Sequence, residues 1–488
     1  MTQKEMQSIL EIGTAISSEK DYNRLLEMIL NRIMELTHAD AGTLYLADGD
    51  LLRFKIMCNN TMHTCEGGDG KEPNLPPVRM SRENVCAICY LENRTVCIEN
   101  VRTSTEYDFS GPVRYDAMTG YHTQSMLVVP MHNRQGERLG VIQLINAMDA
   151  AGNICAFPAD IIPAVESVAS QAAITIQNVL YIENIKELFE SFVRVMSSAV
   201  DERTPYNASH TRHMVEYGRH FIDYLNETAK AEGREPWFDA EHRHELLMSV
   251  WLHDIGKLVI PLEVMNKEAR LLPEQKSEIL HRFEKMRLLA QIACLKGAIS
   301  GETLEKRLEE LKQAGDTILR ANTAGFCPDD LREEICRIRE KTYTEEDGSE
   351  KPWLEEEEFQ MLMIRKGTLS EKERAVMESH VVITDKLLSE IRFSKELSHV
   401  REWAASHHEL LNGSGYPKHL MAEQIPMEVR IITILDIFDA LVADDRPYKP
   451  GMPVEKALGI LDIMADKEGK LDPELTRLFR KSRCWEKD

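Results

Sequence analysis

Apolar residues recur every three or four positions along the segment that begins at Asp21, as they do on one face of an amphipathic helix. The residues on this face are Leu25, Leu26, Ile29, Ile33 and Leu36. Shorter runs of aliphatic and β-branched residues follow, separated by turn signals such as NRQGE. These runs are AGTLYLAD, LLRFKIM, RTVCIEN, SMLVVPM and LGVIQLIN. The pattern predicts an α+β domain with an antiparallel sheet.

A second apolar stripe is longer and continues from this region into the next. Its members recur every three or four residues from Val165 to Phe192. They predict one long helix, which either packs on the first domain or forms a parallel two-stranded contact in a homodimer. After Ser197 the strand signal nearly disappears, and the remaining sequence predicts helices.

Composition and charge narrow the classes of function. The chain has 488 residues, of which 43% are hydrophobic and 29% charged, enough for two or three separately cored domains. A net charge of -22 argues against binding to a nucleic acid polymer, which usually requires a basic surface. The sequence has no apolar run of about 18 residues, and MTQKEMQSILEIG does not resemble a signal peptide. We therefore expect a cytoplasmic protein without membrane contact, whose ten cysteines are mostly reduced.

The first region resembles a GAF domain, a small sensory module with an antiparallel sheet flanked by helices. The resemblance lies in HADAGTLYL, YHTQSMLVVPM and LGVIQLINAMD, followed by a long closing helix. It implies binding of a small ligand, or dimerisation. The signature of cyclic nucleotide binding is incomplete, since Asn146 precedes Ala147 and Phe157 precedes PADII. The GAF signal is thus expected to be an unknown small ligand or a redox event.

Four cysteines of this region form a candidate metal or redox site: Cys58, Cys65, Cys86 and Cys89. Four thiolates can hold zinc or an iron–sulfur cluster, and the last two form a CxxC motif. Their spacing is not that of a zinc ribbon, and a buried cysteine is often a small core residue. The sequence favours packing and leaves metal or redox sensing open.

The second half of the chain carries the candidate chemistry. In WLHDIGKL, His253 and Asp254 are adjacent, and Lys257 follows one helical turn later. Further histidines and a carboxylate occur before and after this motif: His210, His380, His407, His408 and Asp436. Imidazoles and carboxylates together suit iron, manganese or zinc. A lone histidine such as His380 would more often be structural, and the remaining histidines, among them His213, are expected on the surface.

This ordered set resembles the HD-GYP family of metal-dependent phosphohydrolases. HDIGK, HHELLNGSGYP and DIFDALVADDRPYK carry the resemblance, which covers nearly all of residues 190–470 apart from one insertion. It implies an all-α domain that hydrolyses cyclic di-GMP to linear pGpG, and further hydrolysis to GMP stays open. The implied metal ligands are His210, His253, Asp254, His380, His407, His408 and Asp436. The implied catalytic residues are Asp254 and Lys257, and the implied substrate contacts are Lys257, Tyr416, Arg446 and Lys449.

The resemblance also implies a cofactor of two divalent metal ions per chain, most consistent with iron or manganese. Asp254 would bridge the two ions, as in other two-metal phosphohydrolases. A third ion is not expected, because Tyr206 stands where some members of the family have a glutamate. Two alternatives stay open: a cyclic di-GMP receptor with little turnover, and a hydrolase of another nucleotide, including a hybrid cyclic dinucleotide.

The predicted organisation is multidomain: an N-terminal helix at residues 1–20, the GAF domain at 21–163, a connecting helix at 164–196 and the HD-GYP domain at 197–480. An insertion at residues 268–366 separates two ligand segments of this last domain. Its apolar pattern predicts a helical hairpin, followed by an exposed acidic hairpin or loop at TYTEEDGSEKPWLEEEEF. The insertion is either a surface excursion or a lid or partner surface, and the first alternative is slightly favoured.

Overall fold

The chain divides into two compact units, one ending at residue 189 and the other beginning at residue 190. The computed structural model describes residues 15, 19, 21–68, 73–133, 135–203, 209–443 and 451–486. The predicted N-terminal helix therefore lies almost entirely outside the described residues.

The first unit is built on one antiparallel sheet with the strand order β3-β2-β1-β7-β6-β5. Two short strands extend it, β4 beside β2 and β8 beside β7. The strands are β1 (Ala39–Asp48), β2 (Leu51–Asn59), β3 (Thr64–Gly67), β4 (Val78–Arg79), β5 (Val96–Ile98), β6 (Met126–His132), β7 (Arg138–Met148) and β8 (Ile154–Cys155). The helices are α1 (Tyr22–Thr37), α2 (Val85–Glu92) and α3 (Ser110–Thr119). All five runs predicted as strands are strands, and the predicted α+β class is confirmed.

Alternation along the strands produces two apolar layers, one on each face of the sheet. Leu44 belongs to the layer that contains the apolar stripe of α1, whereas the next residue, Tyr45, belongs to the layer that contains α2. Helix α1 begins at a side-chain cap, because Asp21 accepts a hydrogen bond from the backbone N–H of Arg24 at 2.9 Å. The period of two in the strands and of 3.6 in the helix therefore explains the packing of this unit.

The predicted connecting helix is a single helix, α4 (Ile162–Asp201), of 40 residues. Its first turns are buried in the core of the first unit, as far as Ile176. Further along, the apolar stripe is exposed, with exposed fractions from 53% at Tyr181 to 70% at Leu188. The exposed apolar residues are Tyr181, Ile182, Ile185, Leu188, Phe192 and Val195. All of them except Ile182 follow an alternating spacing of four and three residues, which is that of a coiled-coil stripe.

The second unit is mostly helical. Before the insertion it contains α5 (His210–Ala231), α6 (Ala240–Leu252), a 3-10 helix (Ile255–Val259) and α7 (Leu262–Met265). After the insertion it contains α12 (Glu371–Glu378), α13 (His380–Leu388), α14 (Val400–Ala404), α15 (Met427–Val442), α16 (Val454–Asp466) and α17 (Pro473–Ser482), with short 3-10 helices at Lys395–Leu397 and Ala422–Gln424. Its main apolar cluster joins residues of α5, α6, α15, α16 and α17.

The insertion has an apolar cluster of its own. Helices α8 (Pro273–Leu295) and α9 (Gly301–Thr323) form the predicted helical hairpin and are followed by α10 (Asp329–Arg339) and α11 (Glu356–Leu362). Between these last two, β9 (Thr342–Thr344) and β10 (Glu350–Pro352) pair as a small antiparallel hairpin. The second unit is therefore not strictly all-α, because the acidic segment of the insertion forms this hairpin.

Candidate metal centre

The His-Asp motif lies where α6 ends and the 3-10 helix begins. Gly256 allows this helix to approach α13, because a Cβ atom at that position would lie 2.0 Å from the carbonyl oxygen of His380. The Thr384 hydroxyl accepts a hydrogen bond from the Gly256 N–H at 3.0 Å and donates one to the carbonyl of His253 at 3.1 Å. These contacts fix His253 and Asp254 against the helix that begins with His380.

Six of the predicted ligands form two compact groups. His210, His253 and Asp254 offer ligand atoms that all lie within 4.8 Å of one another. The second group consists of His380, His407 and His408, with the same limit on its atom separations. All of these residues are buried except His408, which is partly exposed. Chain segments that are distant in sequence thus supply two adjacent sets of donors.

The carboxylate of Asp254 faces both groups, one oxygen to each. Its Oδ2 lies 3.3 Å from Nε2 of His253 and 3.8 Å from Nε2 of His210. Its Oδ1 lies 3.4 Å from Nε2 of His380 and 3.8 Å from Nε2 of His407. One carboxylate thus lies between both groups of donors.

Asp436, on α15, brings the seventh predicted ligand to the same place. Its Oδ1 lies 3.4 Å from Nε2 of His210, and its Oδ2 lies 3.6 Å from Nδ1 of His408. The structure therefore brings together all seven residues that the sequence predicts as metal ligands.

The imidazoles are oriented to offer lone pairs. In His253, His380 and His407, Nδ1 lies 2.7 Å from the backbone carbonyl oxygen three residues earlier. A carbonyl only accepts, so Nδ1 carries the proton and Nε2 of the neutral ring carries the lone pair. Burial lowers the pKa of His380 to about 4 and the pKa of His407 well below its usual range, which keeps both rings neutral.

These lone pairs lack protein donors. Nε2 of His380 and Nε2 of His407 lie 3.5 Å apart, so two acceptors face each other. Nε2 of His253 and Oδ1 of Asp254 are buried without a hydrogen-bond partner. Buried acceptors in this state are costly unless a cation satisfies them. The donor set therefore fits divalent metal ions.

His210 is held by a carboxylate that the sequence analysis did not identify. Its Nδ1 lies 2.6 Å from Oδ2 of Asp439, which is only 1% exposed. Burial alone would lower the pKa of His210, but Asp436 and Asp439 outweigh burial and raise this pKa to about 10. Asp439 also lies 3.4 Å from Nδ1 of His213, so that half-exposed histidine contacts the edge of the centre. The available signal was the i,i+3 spacing of the two aspartates in DIFDAL.

Lys257 supplies the positive charge beside these groups. Its Nζ lies 2.5 Å from Oδ2 of Asp254, and its side chain is 19% exposed. Burial would lower the pKa of Lys257, but the carboxylates of Asp254 and Asp436 raise it above its usual value. The ammonium group is therefore charged at neutral pH.

Tyr416 packs on the second histidine group. Its ring centroid lies 4.7 Å from that of His408. The turn before it requires glycine, because a Cβ atom on Gly415 would lie 2.5 Å from the carbonyl oxygen of His408. Tyr416 thus borders the centre.

Glu409 anchors the loop that follows Tyr416, and the sequence analysis did not identify it. Its carboxylate is 1% exposed and accepts hydrogen bonds from the backbone N–H of Lys418 at 2.6 Å and of Leu420 at 2.9 Å. A buried carboxylate with two backbone donors fixes the chain that follows Tyr416.

Three residues of the sequence analysis cannot be placed. Arg446 and Lys449, the further phosphate contacts, lie outside the described residues. So does Tyr206, the basis for expecting no third ion.

The four cysteines of the first unit do not form one site. Cys58 and Cys65 face each other on β2 and β3 and form a disulfide, an exception to the expectation of reduced thiols. Cys86 and Cys89 lie in the apolar layer around α2, whereas Cys58 lies in the other layer. Burial raises the pKa of Cys86 to about 12 and raises that of Cys89 as well, so neither thiol is readily ionised. The structure thus places Cys86 and Cys89 in the core, the interpretation that the sequence favoured, and does not bring the four sulfur atoms together in one site.

Family models match a part of each of the two units. A family model described as GAF domain matches residues 21–176, and one described as HD domain matches residues 357–475. The HD match includes His380, His407, His408 and Asp436, and the structure adds His210, His253 and Asp254 to the same centre. A solved GAF domain from an Acinetobacter phosphoenolpyruvate-protein phosphotransferase aligns with 38% of this chain and 99% of its own, at 14% identity and a TM-score of 0.29.

Curated relatives are phosphodiesterases by name. A 3'3'-cGAMP-specific phosphodiesterase from Vibrio cholerae is 36% identical over 25% of this chain and 25% of its own length. A cyclic di-GMP phosphodiesterase from Thermotoga maritima is 36% identical over 25% of this chain and 32% of its own. A cyclic di-GMP phosphodiesterase response regulator from Xanthomonas campestris pv. campestris is 40% identical over 20% of this chain and 26% of its own length. This chain thus spans between a quarter and a third of the length of these relatives.

Among the described residues, every helix is too short or too polar to span a lipid bilayer. The chain therefore combines a GAF domain with a helical HD domain, and about a quarter of it is similar to proteins named cyclic di-GMP and cGAMP phosphodiesterases.

Proposed function

We propose that this chain is a metal-dependent phosphodiesterase that hydrolyses cyclic di-GMP to linear pGpG under the control of its GAF domain. The observation that carries the proposal is the placement of Asp254, whose two oxygens face two separate groups of histidines. The names of the relatives support the reaction class.

Two divalent ions, iron or manganese, would be held by these groups together with Asp436. Such ions polarise a phosphoryl oxygen and lower the pKa of bound water to about 7, which suits hydrolysis of a phosphodiester. Asp254 orients the donor set, because each of its oxygens serves one group. The carbonyl contacts of His253, His380 and His407 keep their rings in the tautomer that binds metal.

Lys257 would bind a non-bridging phosphate oxygen and stabilise the charge that develops on it. Such an electrostatic contact contributes about 2–4 kcal/mol to transition-state stabilisation. Tyr416, packed on His408, would border the substrate. Arg446 and Lys449 would add further phosphate contacts, a role that rests on the family resemblance alone.

A second candidate substrate is 3'3'-cGAMP, since relatives named for that specificity match at 36% and 37% identity. A receptor with little turnover is the other alternative. Hydrolysis is favoured over that role because all seven ligands predicted for the family stand together, whereas a pure receptor has no need of the full set.

The regulated unit would be a homodimer joined through α4. Five apolar residues of this helix, from Tyr181 to Val195, are exposed at coiled-coil spacing. A second copy of the same helix in parallel would cover them. An unknown small ligand or a redox event at the GAF domain would then act through that helix.

The test is turnover of a panel of cyclic dinucleotides by the full chain. The protein is purified under reducing, low-oxygen conditions and loaded with Mn²⁺ or Fe²⁺, and cyclic di-GMP, 3'3'-cGAMP and cyclic di-AMP are supplied separately. We expect linear pGpG from cyclic di-GMP. His408→Ala should lose this activity, whereas His281→Ala, an exposed histidine of the insertion, should keep it.

The alternatives give different results. Tight binding of cyclic di-GMP without product would identify a receptor. Turnover of 3'3'-cGAMP alone would replace the substrate while keeping the reaction. The proposal is contradicted when the metal-loaded protein neither binds nor cleaves any member of the panel.

A further inference from the structure

Arg203 extends from the end of α4 towards the centre. Helix α4 ends at Asp201, and the backbone N–H of Arg203 still donates to the carbonyl of Val200 at 3.1 Å. The position of Arg203 is therefore continuous with the last turn of that helix.

The guanidinium of Arg203 binds the end of the 3-10 helix that carries Lys257. It donates to the carbonyl oxygen of Lys257 at 2.8 Å, to that of Leu258, and to that of Ile260 at 3.2 Å. The last carbonyls of a helix lack donors within the helix, and a cation there is also favoured by the helix dipole. The carbonyl of Lys257 also accepts the backbone N–H of Ile260 at 3.2 Å. One side chain therefore ties three carbonyl groups of residues 257–260 to the end of α4.

The opposite side of the same 3-10 helix is fixed to α13. Because Gly256 has no side chain, this helix lies against the backbone of His380. The Gly256 N–H also donates a hydrogen bond to the Thr384 hydroxyl. Lys257 is thus held between α13, which carries a metal ligand, and the end of α4.

A second contact joins the end of α4 to the other side of the centre. Asp201 is buried and accepts a hydrogen bond from the Thr211 hydroxyl at 3.0 Å. Thr211 directly follows the ligand His210. The last turn of α4 therefore contacts the segments that carry both His210 and Lys257.

We propose that Arg203 is a positioning residue that sets the placement of Lys257 at the metal centre. It makes the end of α4 the point where a shift of that helix changes phosphate binding. The proposal rests on the proposed function for the meaning of Lys257, but inorganic phosphate is sufficient to test it.

The experiment is a double-mutant cycle on the full, Mn²⁺-loaded chain with inorganic phosphate as the probe. Arg203→Gln and Lys257→Ala should each raise the Kd for phosphate about tenfold, with unchanged Mn²⁺ content. The double variant should bind phosphate no more weakly than Lys257→Ala alone, because Arg203 acts through Lys257. Arg194→Gln, which removes an exposed pair with Glu190 on the same helix, is the matched control and should match the wild type.

Two results overturn the proposal: wild-type phosphate affinity in Arg203→Gln, or the same loss of affinity from Arg203→Gln in the presence and absence of Lys257. Should Arg203→Gln not fold, Arg203→Lys keeps the charge with fewer donors and is expected to bind phosphate less tightly than the wild type. Amide hydrogen exchange gives an independent measurement, since exchange in residues 255–260 should accelerate while α15 is unchanged. Unchanged exchange in residues 255–260 contradicts the proposal. None of these measurements requires turnover of a dinucleotide, so they can be made even when the proposed function fails.

Discussion

Replacement of Glu409 by glutamine tests how the loop beside the metal centre is held. The carboxylate accepts one backbone N–H on each oxygen, that of Lys418 at 2.6 Å and that of Leu420 at 2.9 Å. Glutamine keeps the size of the side chain but replaces one acceptor with an NH₂ group. At least one of the two backbone donors is then left without an acceptor and faces another donor.

The magnitude follows from these two bonds. An unsatisfied buried donor costs about 1–3 kcal/mol. The remaining bond loses its charge assistance, which makes it roughly half as strong. We therefore expect Glu409→Gln to lower the local opening free energy of the loop by about 2–3 kcal/mol. Tyr416 precedes this segment and packs on His408, so KM should rise while the metal content stays constant.

The assay is amide hydrogen exchange of the full chain, read at Lys418 and Leu420. Exchange at both amides should accelerate by about 30-fold to 150-fold for the expected loss of free energy. Glu423→Gln is the matched control, since that glutamate is exposed in the same region. Wild-type exchange rates in Glu409→Gln would refute the assignment of this carboxylate as the anchor of the loop.

The remaining predictions concern the metal ligands and the long helix. Asp439→Asn should weaken Mn²⁺ binding about 10-fold to 100-fold, because His210 loses its charged partner, and a chelator competition measures this; equal affinity would remove Asp439 from the centre. The pKa of His380 is about 4 in the folded state, against an ordinary value of 6.5. The metal-free protein should therefore lose stability as pH falls from 6.5 to about 4, because in this window the unfolded chain takes up a proton and the buried ring does not. Urea unfolding should show a shallower loss in His380→Gln, and an identical pH profile would contradict this reasoning. Leu188→Asp should convert the dimer to a monomer in light scattering, whereas Lys186→Asp should not, and a wild type that is itself monomeric would exclude the helix contact.

The helical and strand elements could be predicted because their periodicity is local. The stripe from Leu25 to Leu36 and the five strand runs appear where the pattern places them. The same periodicity did not reveal that the stripe of α4 is buried as far as Ile176 and exposed from Tyr181, because burial depends on what packs against the helix. The Cys58–Cys65 disulfide was missed for a related reason, because the register between β2 and β3 cannot be predicted from the sequence of either strand alone.

The ligand set could be predicted, but the residues that support it could not. The order of HDIGK, HHELLNGSGYP and DIFDALVADDRPYK identifies the seven ligands through the family. Asp439 lies 229 positions from His210, and Arg203 lies 54 positions from Lys257. A carboxylate or guanidinium on a helix has the same sequence appearance whether it faces solvent or a buried partner. Only the fold distinguishes Asp439, Glu409 and Arg203 from ordinary surface charges.

The central claim is that Asp254 serves two metal ions in one centre. Its most direct test is elemental analysis of Mn²⁺-loaded wild type and Asp254→Ala, with turnover of cyclic di-GMP measured on the same samples. The control is Asp385→Ala, which removes an aspartate on α13 that pairs with Arg401 of α14. The two-metal account predicts about two ions per chain and linear pGpG in the wild type and the control, and fewer than one ion without turnover in Asp254→Ala. Full metal content or normal turnover in Asp254→Ala would contradict it.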